Sequence, residues 1–239
     1  YNKLVYQHYQ VRLEKLQSKF KFKDSLYSVQ QHIIKLLNSI VPDKYIKNDL
    51  IKQDVRFYFK EAKDKEAFYN DFKKYYTGND VELKEQMIDD YLRFSKLKRG
   101  TPSPEFTSYL NLNGGYNSLA DFRGHYVFID IWASWCGNCW VELPYLKNLE
   151  EDYKNKNIFF VSLSWDEFDK EWRKTIATQK MGGIQLLAKS PNDNFFKKYV
   201  VSGIPRYIFL DPNGHIIDYN APRPSEKEKL EELFNSVGL

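Results

Sequence analysis

Two textures divide the hydrophobic pattern of this chain. Up to about residue 98, apolar residues recur at steps of three and four. "YQHYQVRLEKLQSKF", with Val5 just before it, places Val5, Tyr9, Leu13, Leu16 and Phe20 on one helical face. "SLYSVQQHIIKLLNSIV" repeats the pattern and stops before Pro42, where a helix should end. "KNDLIKQDVRFYFKEAKDKEAFYNDFKKYY" reads as helix-rich, with Asp and Glu interleaved with Lys on its polar side. "GND" at Gly78 to Asp80 reads as a break, and "VELKEQMIDDYLRFSKLKRG" as one more helix with Gly100 as its stop.

The pattern changes at "RGTPSPEF", where two prolines make a connector. Short apolar runs then alternate with helical segments. "YVFIDIWA", "NIFFVSLSWD" and "IQLLA" read as strands. "CWVELPYLKNLEEDYK", "DEFDKEWRKTIATQ" and "NDNFFKKYV" read as helices between and after them. "RYIFLD", the turn "DPNG" and "HIIDYN" predict a hairpin. "SEKEKLEELFNSV" predicts a last helix opened by a capping box of Ser225 and Glu228. Strand, helix, strand and then hairpin means a mixed sheet of parallel and antiparallel strands. The organisation expected is an all-α domain over residues 1–98 and an α/β domain over 99–239, a central mixed sheet flanked by helices.

Composition narrows the class. In 239 residues, 42% are hydrophobic and 28% charged, with 18 Tyr and 17 Phe, enough apolar surface to offset the entropy of ordering. A net charge of +4 spread along the chain gives no electrostatic footprint for nucleic acid. No run approaches the roughly 18 apolar residues of a membrane span. The chain starts at Tyr1, so the expectation is a processed or a trimmed form, either of which can have lost a targeting segment.

Candidate chemistry centres on "WASWCGNCWVELPYL", which holds the only two cysteines, Cys136 and Cys139. The pair sits where a strand hands over to a helix. Unpaired N–H groups and the helix dipole at that end favour a thiolate at Cys136. Cys136 is then the exposed nucleophile, and Cys139, one turn on, the resolving thiol. The bland readings are weaker. A staple closing so short a loop removes little entropy from the unfolded chain. A structural zinc needs about four ligands, and the four histidines, His8, His32, His125 and His215, lack ligand spacing. Haem attachment needs His after the second cysteine, and Trp140 stands there. "NLNGG" at Asn111 to Gly115 has the wrong spacing for a phosphate loop and reads as a turn. Trp165 and Asp166 stand where they could join an active-site rim, but read more simply as a strand end and a helix cap.

"FIDIWASWCGNC" resembles the active-site strand and motif of the thioredoxin superfamily, most of all the TlpA/ResA-like thiol–disulfide oxidoreductases. The resemblance covers about Gly100 to Leu239. Trp135 and Trp132 match the family's tryptophans, and Asp130 falls where thioredoxins carry a buried acid. Pro144 matches the proline of the active-site helix, and Ile204-Pro205 the cis-proline loop that faces the disulfide. "DPNG" matches the turn of the following hairpin. Glu142 stands where the ResA-like group carries an acidic residue. Gly137-Asn138 departs from the Gly-Pro of thioredoxin, so the redox poise does not carry over.

The resemblance implies an enzyme that exchanges disulfides with protein substrates, with a redox-active Cys136–Cys139 disulfide and neither cofactor nor metal. Cys136 and Cys139 would react, with Glu142 or Asp130 relaying a proton. Trp135, Ile204 and Pro205 would bind substrate. It further implies a reductase in the bacterial periplasm or cell envelope, recharged by a membrane electron donor and held by a lipid anchor on residues absent here. A thiol-dependent peroxidase, or a non-catalytic binding module working through the helical half, are the alternatives.

Overall fold

A computed structural model of the chain describes residues 7, 11, 26–62, 64–188, 190 and 192–239. Apart from Gln7 and Val11, both helical, the helix read over "YQHYQVRLEKLQSKF" lies outside the described residues. The chain divides into two compact units, Tyr1–Ser95 and Lys96–Leu239.

In the first unit, helices span Leu26–Ile40, Lys44–Glu61, Lys65–Tyr75 and Val81–Ser95. Three aspartates start the last three. Asp43 accepts from the N–H of Tyr45 and Ile46, Asp64 from Ala67, and Asp80 from Leu83, each satisfying a donor that a helix start leaves unpaired. The stretch from Lys47 to Tyr76, read as one helix-rich segment, therefore splits at Ala62, where the backbone turns extended. The fourth helix stops at Ser95, short of the expected Gly100. Past it, the N–H of Thr101 and its hydroxyl both turn back to the Lys98 carbonyl. Phe59, Phe68, Phe72, Met87 and Phe94 form the interior. Two acids are buried with partners rather than solvated: Asp71 with Lys35 at 3.2 Å, and Asp90 with both sides of the Arg56 guanidinium at 2.7 and 3.1 Å.

The second unit is built on a seven-stranded sheet in the order β2-β1-β5-β4-β3-β6-β7. Its strands are β1 (Tyr109–Asn111), β2 (Tyr116–Asn117), β3 (Tyr126–Trp132), β4 (Ile158–Ser164), β5 (Ile184–Leu187), β6 (Arg206–Leu210) and β7 (Ile216–Asp218). β3, β4 and β5 run parallel, while β6 and β7 are antiparallel. The expected mixed sheet is present. Gly214, at φ +73°, closes the β6–β7 turn through its N–H to the Asp211 carbonyl. The β1–β2 hairpin was not foreseen: strands of three and two residues are too short to show an alternating run. "NLNGG" is the turn between them.

Helices span Gly137–Asp152, Asp169–Gln179, Asn194–Lys198 and Lys227–Asn235. Alternation along β3 puts Phe128, Asp130 and Trp132 on one face. Phe128 there packs with Leu146 and Leu149 of the first helix and Leu230 and Phe234 of the last. The expected capping box at Ser225 is absent. The last helix is capped by Glu226 without a side-chain bond, because Ser225 gives both its N–H and its hydroxyl to Glu142. Among the described residues no helix is long and apolar enough to cross a membrane.

Candidate active site

The buried strand β3 ends at Trp132, and the chain turns at once: the Cys136 N–H donates to the Ala133 carbonyl at 3.0 Å. Cys136 is thereby the residue that caps the Gly137–Asp152 helix. Its Sγ accepts the Cys139 N–H at 3.1 Å. A sulfur there faces the donors and the positive end of the helix dipole, the setting that stabilises a thiolate. Cys136 and Cys139 are joined by a disulfide with Cα atoms 5.3 Å apart. Cys136 is only 5% exposed, so the openly exposed nucleophile read from the sequence is corrected. The pair packs in an apolar cluster with Trp132, Ala133, Trp172, Ile176 and Leu187, and Trp140, Trp165, Met181 and Ile204 close around it.

The surroundings divide into a rim and a floor. Trp135, next to Cys136, is 67% exposed. Ile204 belongs to the cluster that holds the cysteines, and its bond to Pro205 is cis. On the other side a narrow cleft is lined by Asp130, Trp132, Cys139, Trp140 and Tyr207, among others. Its room, about 10 Å³, approaches that of one water molecule.

Asp130 is buried, and its Oδ1 has no hydrogen-bond partner. Its Oδ2 takes only a long bond of 3.5 Å from Ser162, the residue opposite it on β4. Burial, and then the charge of Glu150, push its carboxyl up to about 7. Glu150, on the same helix as the cysteines, is pushed to about 7 by its own burial. Glu142 is placed differently. It is also buried, but Ser225 donates to Oε2 from its N–H at 3.0 Å and to Oε1 from its hydroxyl at 2.8 Å. The Arg223 guanidinium stands 3.9 Å away. Both Glu142 oxygens are thus engaged by the C-terminal segment, while Asp130 lines the cleft with Cys139. Pro144 lies within the Gly137–Asp152 helix.

A profile of the redoxin family matches residues 98–235. The chain belongs to the redoxin family. The thiol–disulfide oxidoreductase ResA of Bacillus thuringiensis subsp. konkukian is 27% identical over 147 residues, covering 62% of this chain and 83% of the relative. The thioredoxin domain of a thiol–disulfide oxidoreductase from Bacteroides vulgatus superposes with a TM-score of 0.53 at 29% identity, over 59% of this chain and 98% of that one. A thiol:disulfide interchange protein from Bacteroides sp. does so with the same score and identity, over 59% and 92%. This redoxin is accordingly a thioredoxin-like thiol–disulfide oxidoreductase, and Cys136–Cys139 fits a C-x-x-C redox centre.

One residue of the redoxin site escaped sequence reasoning, and a second was set aside. Glu150 is one of several acids on a charged helix, and nothing local marks it. Asp166 offers itself in the sequence as a part of the active-site rim or as a helix cap, and the cap is the simpler reading. The helix begins later, at Asp169, with Phe168 before it. Asp166 is buried and faces back toward the loop before the cysteines.

Proposed function

We propose that this redoxin reduces disulfides of protein substrates in the bacterial cell envelope. Reduced Cys136 attacks one sulfur of a substrate disulfide as the thiolate. A mixed disulfide forms and the first substrate thiolate leaves. Cys139 then loses its proton to Asp130 and attacks the Cys136 sulfur. The Cys136–Cys139 bond forms, the second substrate thiolate leaves, and two electrons have passed to the substrate. A membrane electron donor restores the dithiol. The observation that carries this reading is the cleft shared by Cys139 and Asp130: it holds a carboxyl with one unpartnered oxygen, pushed to about 7, together with the thiol that must lose a proton, and a pKa near working pH suits general acid–base transfer.

Trp135 and Ile204 supply apolar surface on either side of the pair for the substrate chain, with Pro205 completing that loop. Glu142 acts from the Ser225 side, through its charge rather than as the first acceptor. The chemistry belongs to the unit Lys96–Leu239, and the helices from Leu26 to Ser95 belong to the other unit. The family relationship supports the envelope assignment, with anchoring through a lipid outside this chain.

Trapping tests the reading. With Cys139→Ala, Cys136 should hold protein substrates as mixed disulfides that dithiothreitol releases, and Cys136→Ser should hold none. Equal capture by both variants would sink the proposal. The equilibrium between dithiol and disulfide in glutathione buffers then tests the direction: a pair more oxidising than the glutathione couple would refute a reductase.

A further inference from the structure

A buried carboxylate needs its lone pairs filled, and Asp166 fills them in an informative way. It is only 3% exposed. The Ser134 N–H reaches both of its oxygens, at 3.1 Å to Oδ1 and 2.9 Å to Oδ2. The Ser134 hydroxyl donates to Oδ1 at 2.7 Å, and the Ser164 hydroxyl to Oδ2 at 2.7 Å. Ser164 in turn accepts the N–H of Asp166 at 3.0 Å. Hydrogen bonds to a charged acceptor are the stronger kind.

The topology explains why this clasp reaches the site. β3 and β4 run parallel in register, so Trp132 and Ser164 end level. The Trp165 N–H donates to the Trp132 carbonyl at 2.7 Å, the last backbone rung. Beyond it the two chains diverge, one toward Cys136 and the other toward the Asp169–Gln179 helix. Asp166 ties them together again one step further out, through side chains. The residue it grips, Ser134, immediately precedes Trp135 and stands two before Cys136. Trp135 is 67% exposed although its neighbours Ala133 and Cys136 are buried. An aromatic that stands in solvent on a pinned backbone loses little freedom when a partner covers it.

We propose that Asp166, with Ser164, is a positioning residue for disulfide exchange: it fixes Ser134 so that Trp135 and Cys136 are presented together to a polypeptide disulfide. The inference rests on the reading of Cys136 as the attacking group. Asp166 touches neither sulfur through any of these bonds. It acts through Ser134, and its effect falls on substrates large enough to use Trp135.

The test is a ratio of rates measured on the full chain, reduced beforehand. Reduction of insulin disulfides reports a polypeptide substrate. Reduction of 5,5′-dithiobis(2-nitrobenzoate) reports attack on a small disulfide. Asp166→Asn can accept on only one of the two oxygens now used. It should lower the insulin-to-small-disulfide rate ratio about tenfold, and Ser134→Ala about threefold. Ser134→Thr keeps the hydroxyl donor and should restore the ratio. A merely structural role would lower both rates together in proportion to folded protein, leaving the ratio unmoved. An unmoved ratio in folded Asp166→Asn overturns the proposal. If that variant does not fold, Ser134→Ala decides by the same criterion. A wild-type protein that reduces neither disulfide overturns the reading of Cys136 as well, whereas an active wild type with an unmoved ratio in the variants overturns this inference alone.

Discussion

Replacing Asp130 by asparagine should stabilise the protein in alkali and not in acid. The wild-type carboxyl is pushed from its ordinary 3.8 to about 7 by burial and by the charge of Glu150. The folded state therefore holds its proton where the unfolded state has lost it. Stability then falls as pH rises, starting near the unfolded value and complete above about 7. Each pH unit of that gap is worth about 1.4 kcal/mol. The folded state has lost about 1.5 kcal/mol at pH 5 and about 4 kcal/mol at pH 8 from this one group, as an order of magnitude. The amide of Asp130→Asn has the same shape and no charge to desolvate. Its stability relative to wild type should rise by about 2–3 kcal/mol from pH 5 to pH 8, whatever its absolute value at pH 5. Urea denaturation of the oxidised proteins at the two pH values measures this, with the m-values checked for equality. A relative stability independent of pH, or falling toward alkali, would refute the buried-acid argument. The same substitution removes the proposed proton acceptor for Cys139. Resolution of a preformed mixed disulfide should slow by about a hundredfold or more, while the first attack by Cys136 is spared.

Glu150→Gln removes a charge that raises Asp130, so the Asp130 carboxyl should titrate at lower pH. Carbon-13 NMR of labelled aspartate reads the midpoint, and an unmoved one would exclude Glu150 as a cause. Ser225→Ala deprives buried Glu142 of a 2.8 Å hydrogen bond and should cost about 1–2 kcal/mol in urea denaturation. Glu228→Ala should stay within about 0.5 kcal/mol; the reverse order would restore the capping box that the sequence suggested.

What the sequence disclosed about this site is what lies close along the chain. A carboxylate inside "VFIDIW", a cysteine at a strand-to-helix junction and a second cysteine one turn on are local facts, and periodicity places them. The partners that tie Glu142 and Asp166 into the site are not local. Glu142 meets Ser225 at a separation of 83 residues, and Asp166 meets Ser134 across 32. Such pairings follow from strand order, and no pattern within one element encodes that. The consequence is sharpest for Glu142 and Asp130, which the family resemblance set on equal terms as proton relays for Cys139. Helical spacing reports which side chains share a face, and on that ground Glu142 qualifies. Its availability depends on what fills its oxygens, and Ser225 fills both. Asp130 has an unfilled oxygen and a place in the cleft with Cys139. A group that moves a proton needs a vacant site to receive it and a modest energetic gap between its two forms. Of the two carboxylates, Asp130 alone combines both.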